Sequence, residues 1–204
     1  MLRRFKDIGN IDAMVARQFA LIPTQKFTNF GIFVLIRMTN KTMRKAKSEL
    51  IRKSMAKKNE IRQRLGIELR HYGTANDYLI YGVEEEWLKK QGNLMAIWEE
   101  KVYRLMHSEG YLVYQAHPFR TGIRRCNPDF IDGVEIYNGK TSRECNERAE
   151  AWAKENNKLM VSGSDFHVPR QLARGGIITK KPINNNADLL DMLKSMDFEM
   201  IKTY

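Results

Sequence analysis

An α/β fold with a mostly parallel sheet, open or closed into a barrel, is what this sequence predicts, and three observations carry it. Short strand-like apolar runs alternate with segments of helical apolar spacing from residue 66 to the end. The 204 residues are 43% hydrophobic and 29% charged with 5 Pro and 13 Gly, which suits one globular domain, with or without an appendage, and excludes collagen-like, low-complexity and wholly disordered chains. Side chains of metal-ligand type fall where the strands end, the edge on which parallel α/β folds build their sites.

Taken in order, Leu2, Phe5, Ile8, Val15, Phe19 and Ile22 are loosely spaced for a helix stopped by Pro23. Gly31–Ile36 reads as a buried strand. Thr39 or Asn40 then caps a basic helix running to about Leu65. Gly66–Arg70 and Asp77–Gly82 are strands, the second closed by glycine. Glu84–Gln91 is a short helix with an acidic start, and Asn93 caps a longer one carrying Met95, Ile97, Trp98, Val102, Leu105 and Met106 until Gly110. Strands follow at Tyr111–Ala116 and Asp132–Tyr137, a helix at Thr141–Asn156, and strands at Leu159–Ser162 and Gly175–Thr179. A helix over Asn186–Met196 and a strand over Phe198–Ile201 close the chain.

The formal net charge of +11 belongs to the first third: residues 1–70 hold 17 Lys/Arg against 5 Asp/Glu, and residues 71–204 hold 18 against 19. The density is greatest over residues 41–64, a helix that could attract polyanions without base-specific contacts. No aromatic interleaving or zinc-finger spacing accompanies it, so a nucleic-acid partner stays a secondary expectation. The longest apolar stretch, residues 32–36, is too short to span a bilayer, and no apolar core follows the basic N-terminus, so no membrane and a cytoplasmic location are expected. Cys126 and Cys145, 19 positions apart without a CxxC pattern, are expected to be reduced thiols.

Glu68, Asp77, His117, Glu135, Asp165 and His167 are the candidate ligands. Asp165 and His167, two apart in an extended segment after Val161-Ser162-Gly163-Ser164, would present a carboxylate and an imidazole to one side. His117 precedes Pro118, whose ring should hold it extended, and a neutral imidazole there can bind a divalent metal. Arg120, Arg124 and Arg125 follow, with guanidinium forks suited to phosphate.

Five blocks in this order resemble the motifs of the PHP (polymerase and histidinol phosphatase) family: Gly66-Ile67-Glu68, Gln115–Arg120, Gly133–Gly139, Ser162–His167 and Arg174–Ile177. They span about residues 66–180. The resemblance implies a distorted (β/α)7 TIM-like barrel whose divalent metals hydrolyse phosphoesters. It makes Glu68 the carboxylate bridging two metals, His117 a metal-binding histidine, and Asp165 and His167 the closing pair, all four catalytic. Asp77 stands where many members place another metal-binding His, and its oxygen leans the site toward harder metals. Glu135 is a neighbour within its motif, and Arg120 and Arg124 would hold the substrate phosphate.

The chain departs from the pattern at its front. Residues 1–60 contain no histidine, so the family's HxH pair is missing, and Val34–Asn40 is similar to the second motif strand but with Arg37-Met38 and Thr39-Asn40 in place of its acid and His. The first strand is therefore expected to be missing or altered, making the chain a truncated or degenerate member, with a divergent segment over residues 1–40 and a PHP-like domain over 41–204. The cofactor expectation is one or two divalent ions of Zn, Mn or Fe. The leading function is a metal-dependent phosphoesterase, impaired by the lost ligands, acting on a nucleotide-like or small organic phosphate mono- or diester. The alternatives are a non-catalytic phosphate- or nucleotide-binding remnant of the same fold and a basic nucleic-acid-associated module.

Overall fold

The computed structural model describes residues 16–21, 30–37, 61–165, 171, 174–181 and 183–204. Nine strands lie in one sheet: β1 (Ala16–Leu21), β2 (Phe30–Arg37), β3 (Ile61–Arg70), β4 (Asp77–Tyr81), β5 (Leu112–Gln115), β6 (Gly133–Asn138), β7 (Leu159–Gly163), β8 (Gly175–Thr179) and β9 (Phe198–Lys202). Their order across the sheet is β7-β6-β5-β4-β3-β2-β1-β8-β9. Among the described residues four helices accompany them: α1 (Glu85–Lys90), α2 (Glu99–Ser108), α3 (Arg143–Glu155) and α4 (Asn186–Ser195).

Two elements differ from the sequence reading at the front. Residues 16–21 are a strand and not part of a helix, and residues 61–64 begin β3 instead of ending the basic helix. In each case the partner strand decides: β1 pairs with β2 antiparallel, and β3 pairs with β2 in parallel from Ile61 to Glu68. The rest of the proposed basic helix, residues 41–60, lies outside the described residues.

The sheet is also less parallel than expected. β1/β2, β3/β4, β4/β5 and β8/β9 are antiparallel, while β2/β3, β5/β6, β6/β7 and β1/β8 are parallel. For β3/β4 the reason is length: only residues 71–76 connect them, and a parallel return needs about a dozen residues or more. The expected closed barrel is not what the pairing shows, since no strand ladder joins β7 to β8 or β9 among the described residues. The sheet nevertheless curls until those strands approach. The Ser162 hydroxyl on β7 donates to the Ile201 carbonyl on β9 at 2.5 Å and accepts from the Gly176 amide on β8 at 3.1 Å. Gly175 is required there, because a Cβ on it would fall 2.2 Å from the Gly163 carbonyl oxygen.

Alternation sorts the apolar side chains onto two faces. Ile67, Leu69, Tyr78, Ile80, Val113, Val134 and Ile136 pack with Leu88 of α1, Val102 and Met106 of α2, and Ala149, Trp152 and Ala153 of α3. Leu79, Tyr81, Leu112, Tyr114, Val161 and Ile177 pack on the other face with Leu189 and Leu193 of α4. The helices end where their caps sit. Ser142 accepts from the Cys145 amide at the start of α3, Asn185 accepts from the Asp188 amide at the start of α4, and Met196 closes α4 in the left-handed region. The long helix expected from Asn93 is interrupted. Asn93 caps a single 3-10 turn over Leu94–Ala96, and α2 begins at Glu99 after Trp98 takes an extended conformation. That turn is tied to the β3–β4 connection by the Tyr72 amide, which donates to the Met95 carbonyl at 2.9 Å.

Cys126 and Cys145 are both free thiols, and burial pushes Cys126 up to about 12. No helix of the described residues is long and apolar enough to cross a membrane.

His71, just past β3, is buried and packs edge-on against Tyr78 at 5.4 Å. Burial holds its pKa below the ordinary 6.5 despite the opposing influence of Glu99. The unfolded chain therefore binds a proton on this residue at a higher pH than the folded one does, so the stability associated with His71 is present above pH 6.5 and is lost as pH falls from there through the lower folded value. Thermal melts should show His71→Phe losing less of its melting temperature between pH 7.5 and pH 5.5 than the native chain. An equal loss would exclude His71 as the group responsible.

Candidate metal centre

The face carrying Leu79, Tyr114 and Val161 also carries Glu68, Asp77 and Glu135, and the polar side chains gather at one edge of it. Glu68 stands two residues before the end of β3, and Asp77 begins β4. Because β4 runs antiparallel to β3, its first residue reaches the same edge as the last residues of β3, with Arg70 directly opposite Asp77. His117 follows β5 and Asp165 follows β7, both strands parallel to β6, which carries Glu135.

Glu68, Asp77 and His117 come together: one ligand atom from each lies within 4.8 Å of the others, and all three residues are buried. His117 Nε2 is 3.6 Å from Asp77 Oδ2. Arg70 grips the same carboxylate with both arms of its fork, Nε donating to Oδ1 at 2.7 Å and a terminal nitrogen donating to Oδ2 at 2.6 Å.

A second group forms around Arg120. Its guanidinium donates to Asp165 Oδ2 at 2.5 Å, to Asn138 Oδ1 at 2.7 Å and to Thr141 Oγ1 at 3.2 Å. Glu135 joins the two groups, its Oε2 accepting from the His117 main-chain amide at 3.1 Å and from Asn138 Nδ2 at 2.9 Å. This carboxylate therefore positions the turn that carries His117.

The backbone at His117 and Asp165 is unusual, with φ of 31° and 48°. Both non-glycine residues occupy the left-handed region, at a cost of order 1–2 kcal/mol each. Pro118 was expected to keep His117 extended. Instead a turn closed by the Arg120 amide on the His117 carbonyl, at 3.0 Å, overrides that preference and swings Arg120 back over the site. Such strain persists only where surrounding contacts over-determine it, and here those contacts come from Glu135 and Arg120.

Of the remaining sequence candidates, His167 lies outside the described residues. Arg124 is exposed, and it is its main chain that ties the loop down: its amide donates to Asn76 Oδ1 at 2.9 Å and its carbonyl accepts from Gln115 Nε2 at 2.7 Å. Arg125 and Arg148 both stack on Phe119, at 5.2 and 4.6 Å from the ring centre. Sequence reasoning passed over Arg70 and gave Asn138 no role. The signal for Arg70 was its place two residues after Glu68, on the same strand face.

These donors suit a divalent cation. Metal–ligand distances of roughly 2–2.6 Å place two donors across one ion about 4–5 Å apart, so two carboxylates and one imidazole within 4.8 Å can converge on a single ion with small movements. Fold and site thus define an α/β chain with a buried candidate metal centre at a strand edge.

Residues 143–197 match the PHP-associated family model, a stretch that includes Asp165 but not Glu68, Asp77 or His117. No curated protein matches the chain. The fold is similar to that of a Bacteroides vulgatus protein described as a two-domain protein containing a predicted PHP-like metal-dependent phosphoesterase, with 12% identity over 94% of this chain and 66% of that one and a TM-score of 0.58. It is also similar to PsfC from Pseudomonas syringae, with 15% identity over 64% of this chain and 56% of that one and a TM-score of 0.52. The chain therefore spans less than two thirds of the length of each. The family model thus matches about a quarter of the chain, and the two solved structures show that the fold is shared.

Proposed function

We propose that this chain is a metal-dependent phosphoesterase that hydrolyses a phosphate mono- or diester of a nucleotide or small organic phosphate. The observation that carries the reading is the buried grouping of Glu68, Asp77 and His117. Those three side chains would hold a divalent metal, with His167 and Asp165 as further candidates. Two oxygens against one nitrogen lean the choice toward Mn or Fe over Zn, with one or two ions in all. A bound metal at this place supplies an acidified water and polarises a phosphoryl oxygen. The curled but unclosed sheet is read as an opened form of the distorted barrel of the PHP type.

The chain's own residues then divide the work. Glu135 fixes the His117 turn through its main-chain amide, so the imidazole is oriented before anything binds. Arg120, its side chain 26% exposed, keeps one face toward solvent while Asp165, Asn138 and Thr141 set its plane, a geometry suited to receiving a phosphate. The buried apolar residues beneath the edge, Leu79, Tyr114 and Val161, keep water from reaching it through the sheet.

A second reading, a phosphate- or nucleotide-binding protein without turnover, is favoured by the fork of Arg70 on Asp77 and the single contact of Arg120 with Asp165, since both carboxylates are paired with guanidinium groups of the chain itself. Metal analysis of chelator-free protein, run beside hydrolysis of p-nitrophenyl phosphate and its bis ester with added Mn2+, separates the two. Bound metal with turnover supports the phosphoesterase. Phosphate binding without turnover supports the alternative, and the absence of both would sink the site. Within the first reading, Arg120→Ala should lower kcat/KM at least about tenfold even at high salt, with Arg120→Lys recovering part of it, because a partly buried charge-assisted contact is screened less than an exposed one. Unchanged kinetics would remove Arg120 from substrate binding.

A further inference from the structure

Arg70 and a metal have a claim on the same atom. Asp77 Oδ2, 3.6 Å from His117 Nε2, is the oxygen an ion shared with His117 would take, and an Arg70 nitrogen already holds it at 2.6 Å. The other arm of the fork occupies Oδ1. The two partners differ in freedom: the Arg70 side chain is 38% exposed, and that of Asp77 is fully buried. Arg70 therefore approaches from the margin and can withdraw to solvent, whereas Asp77 cannot follow.

We propose that the Arg70 guanidinium is a displaceable internal cation: it competes with a divalent metal for Asp77, and metal loading releases it at the mouth of the site to grip the phosphate of an incoming ligand. The inference rests on reading Glu68, Asp77 and His117 as metal-binding. Without metal, a buried carboxylate needs a charged partner, and removing that partner is costly. With metal, a dication close to a guanidinium repels it strongly in a poorly screened site, so the fork leaves. A freed planar fork beside the metal has the geometry of a phosphate receptor, and its range of motion is the length of one arginine side chain. Anion and metal binding are then linked, and by reciprocity each strengthens the other.

The test is calorimetric titration of the chelator-treated full chain with Mn2+, with and without submillimolar inorganic phosphate, for the native protein, Arg70→Gln and Arg70→Lys, together with thermal melts of each metal-free form. Arg70→Gln should bind Mn2+ at least about tenfold more tightly and melt at a lower temperature without metal. Arg70→Lys, which keeps the charge but not the fork, should fall between. Phosphate should tighten Mn2+ binding to the native chain several-fold more than to Arg70→Gln, in which only Arg120 remains to receive it; equal tightening in both overturns the role given to Arg70. Mn2+ affinity equal to or weaker than native in both folded variants overturns the competition. If Arg70→Gln fails to fold, Arg70→Lys and the phosphate linkage of the native chain decide, and no effect of phosphate there overturns the proposal. Absence of Mn2+ binding in all three proteins overturns the metal reading of the site and this inference with it, an outcome distinct from equal binding in all three.

Discussion

Glu68→Gln is expected to weaken divalent-metal binding by at least 10–100-fold, the range for losing even an outer partner of a metal ligand, and to reduce phosphoester hydrolysis at least as far. The substitution is chosen for its shape. Glu68 is completely buried between Ile67 and Leu69 on β3, and an amide of nearly equal volume removes the charge without opening a cavity. The expected signature is therefore a chain that still folds cooperatively without metal but has lost metal affinity and turnover. His117→Ala should show the same loss of affinity with some loss of stability, because it also empties buried volume. Native metal stoichiometry in Glu68→Gln would move the centre away from β3.

The second large effect is structural. Gly175→Val should destabilise the fold by about 3 kcal/mol or more, which for a chain of this size lowers the melting temperature by roughly 6–12 °C. A Cβ at this position would meet the Gly163 carbonyl oxygen at 2.2 Å, its carbon at 2.6 Å and a Tyr137 ring carbon at 3.0 Å. The first two contacts are backbone and cannot rotate away, so β7 and β8 must separate. Separation also breaks the Ser162 hydrogen bonds to Gly176 and Ile201 and shifts Asp165, two residues beyond β7. Metal or phosphate binding should therefore decline with stability. A Gly175→Val chain melting within 2 °C of native, a margin worth less than about 1 kcal/mol, would show that the two ends of the sheet are free to part.

Local interactions made much of this chain legible in its residues. Glu68 lies in Gly66–Arg70, where apolar Ile67 and Leu69 alternate with polar neighbours, and that period of two both marks a strand and places Glu68 and Arg70 on one face. The helices over Arg143–Glu155 and Asn186–Ser195 were readable from their apolar spacing, because the residues that form and end them are near one another in the chain. The five ordered blocks likewise carried the family resemblance, since each is a short run whose residue types survive being read one after another.

Pairing direction was not read, although the six-residue link between β3 and β4 contained it, and everything that depends on pairing was lost with it. Arg70 faces Asp77 only because those strands are antiparallel in that register; a slip of one residue would turn one of them to the opposite face. The left-handed backbone of His117 ran against the preference set by Pro118, because Glu135 and the Arg120 turn act on it from outside its own segment. Sequence by itself determined which chemical groups this protein carries and on which side of each strand they stand, through contacts between near neighbours. Only the tertiary structure decided that Glu68, Asp77 and His117 meet and that Arg70 shares their carboxylate, because strand order and register fix distances between residues up to 49 positions apart.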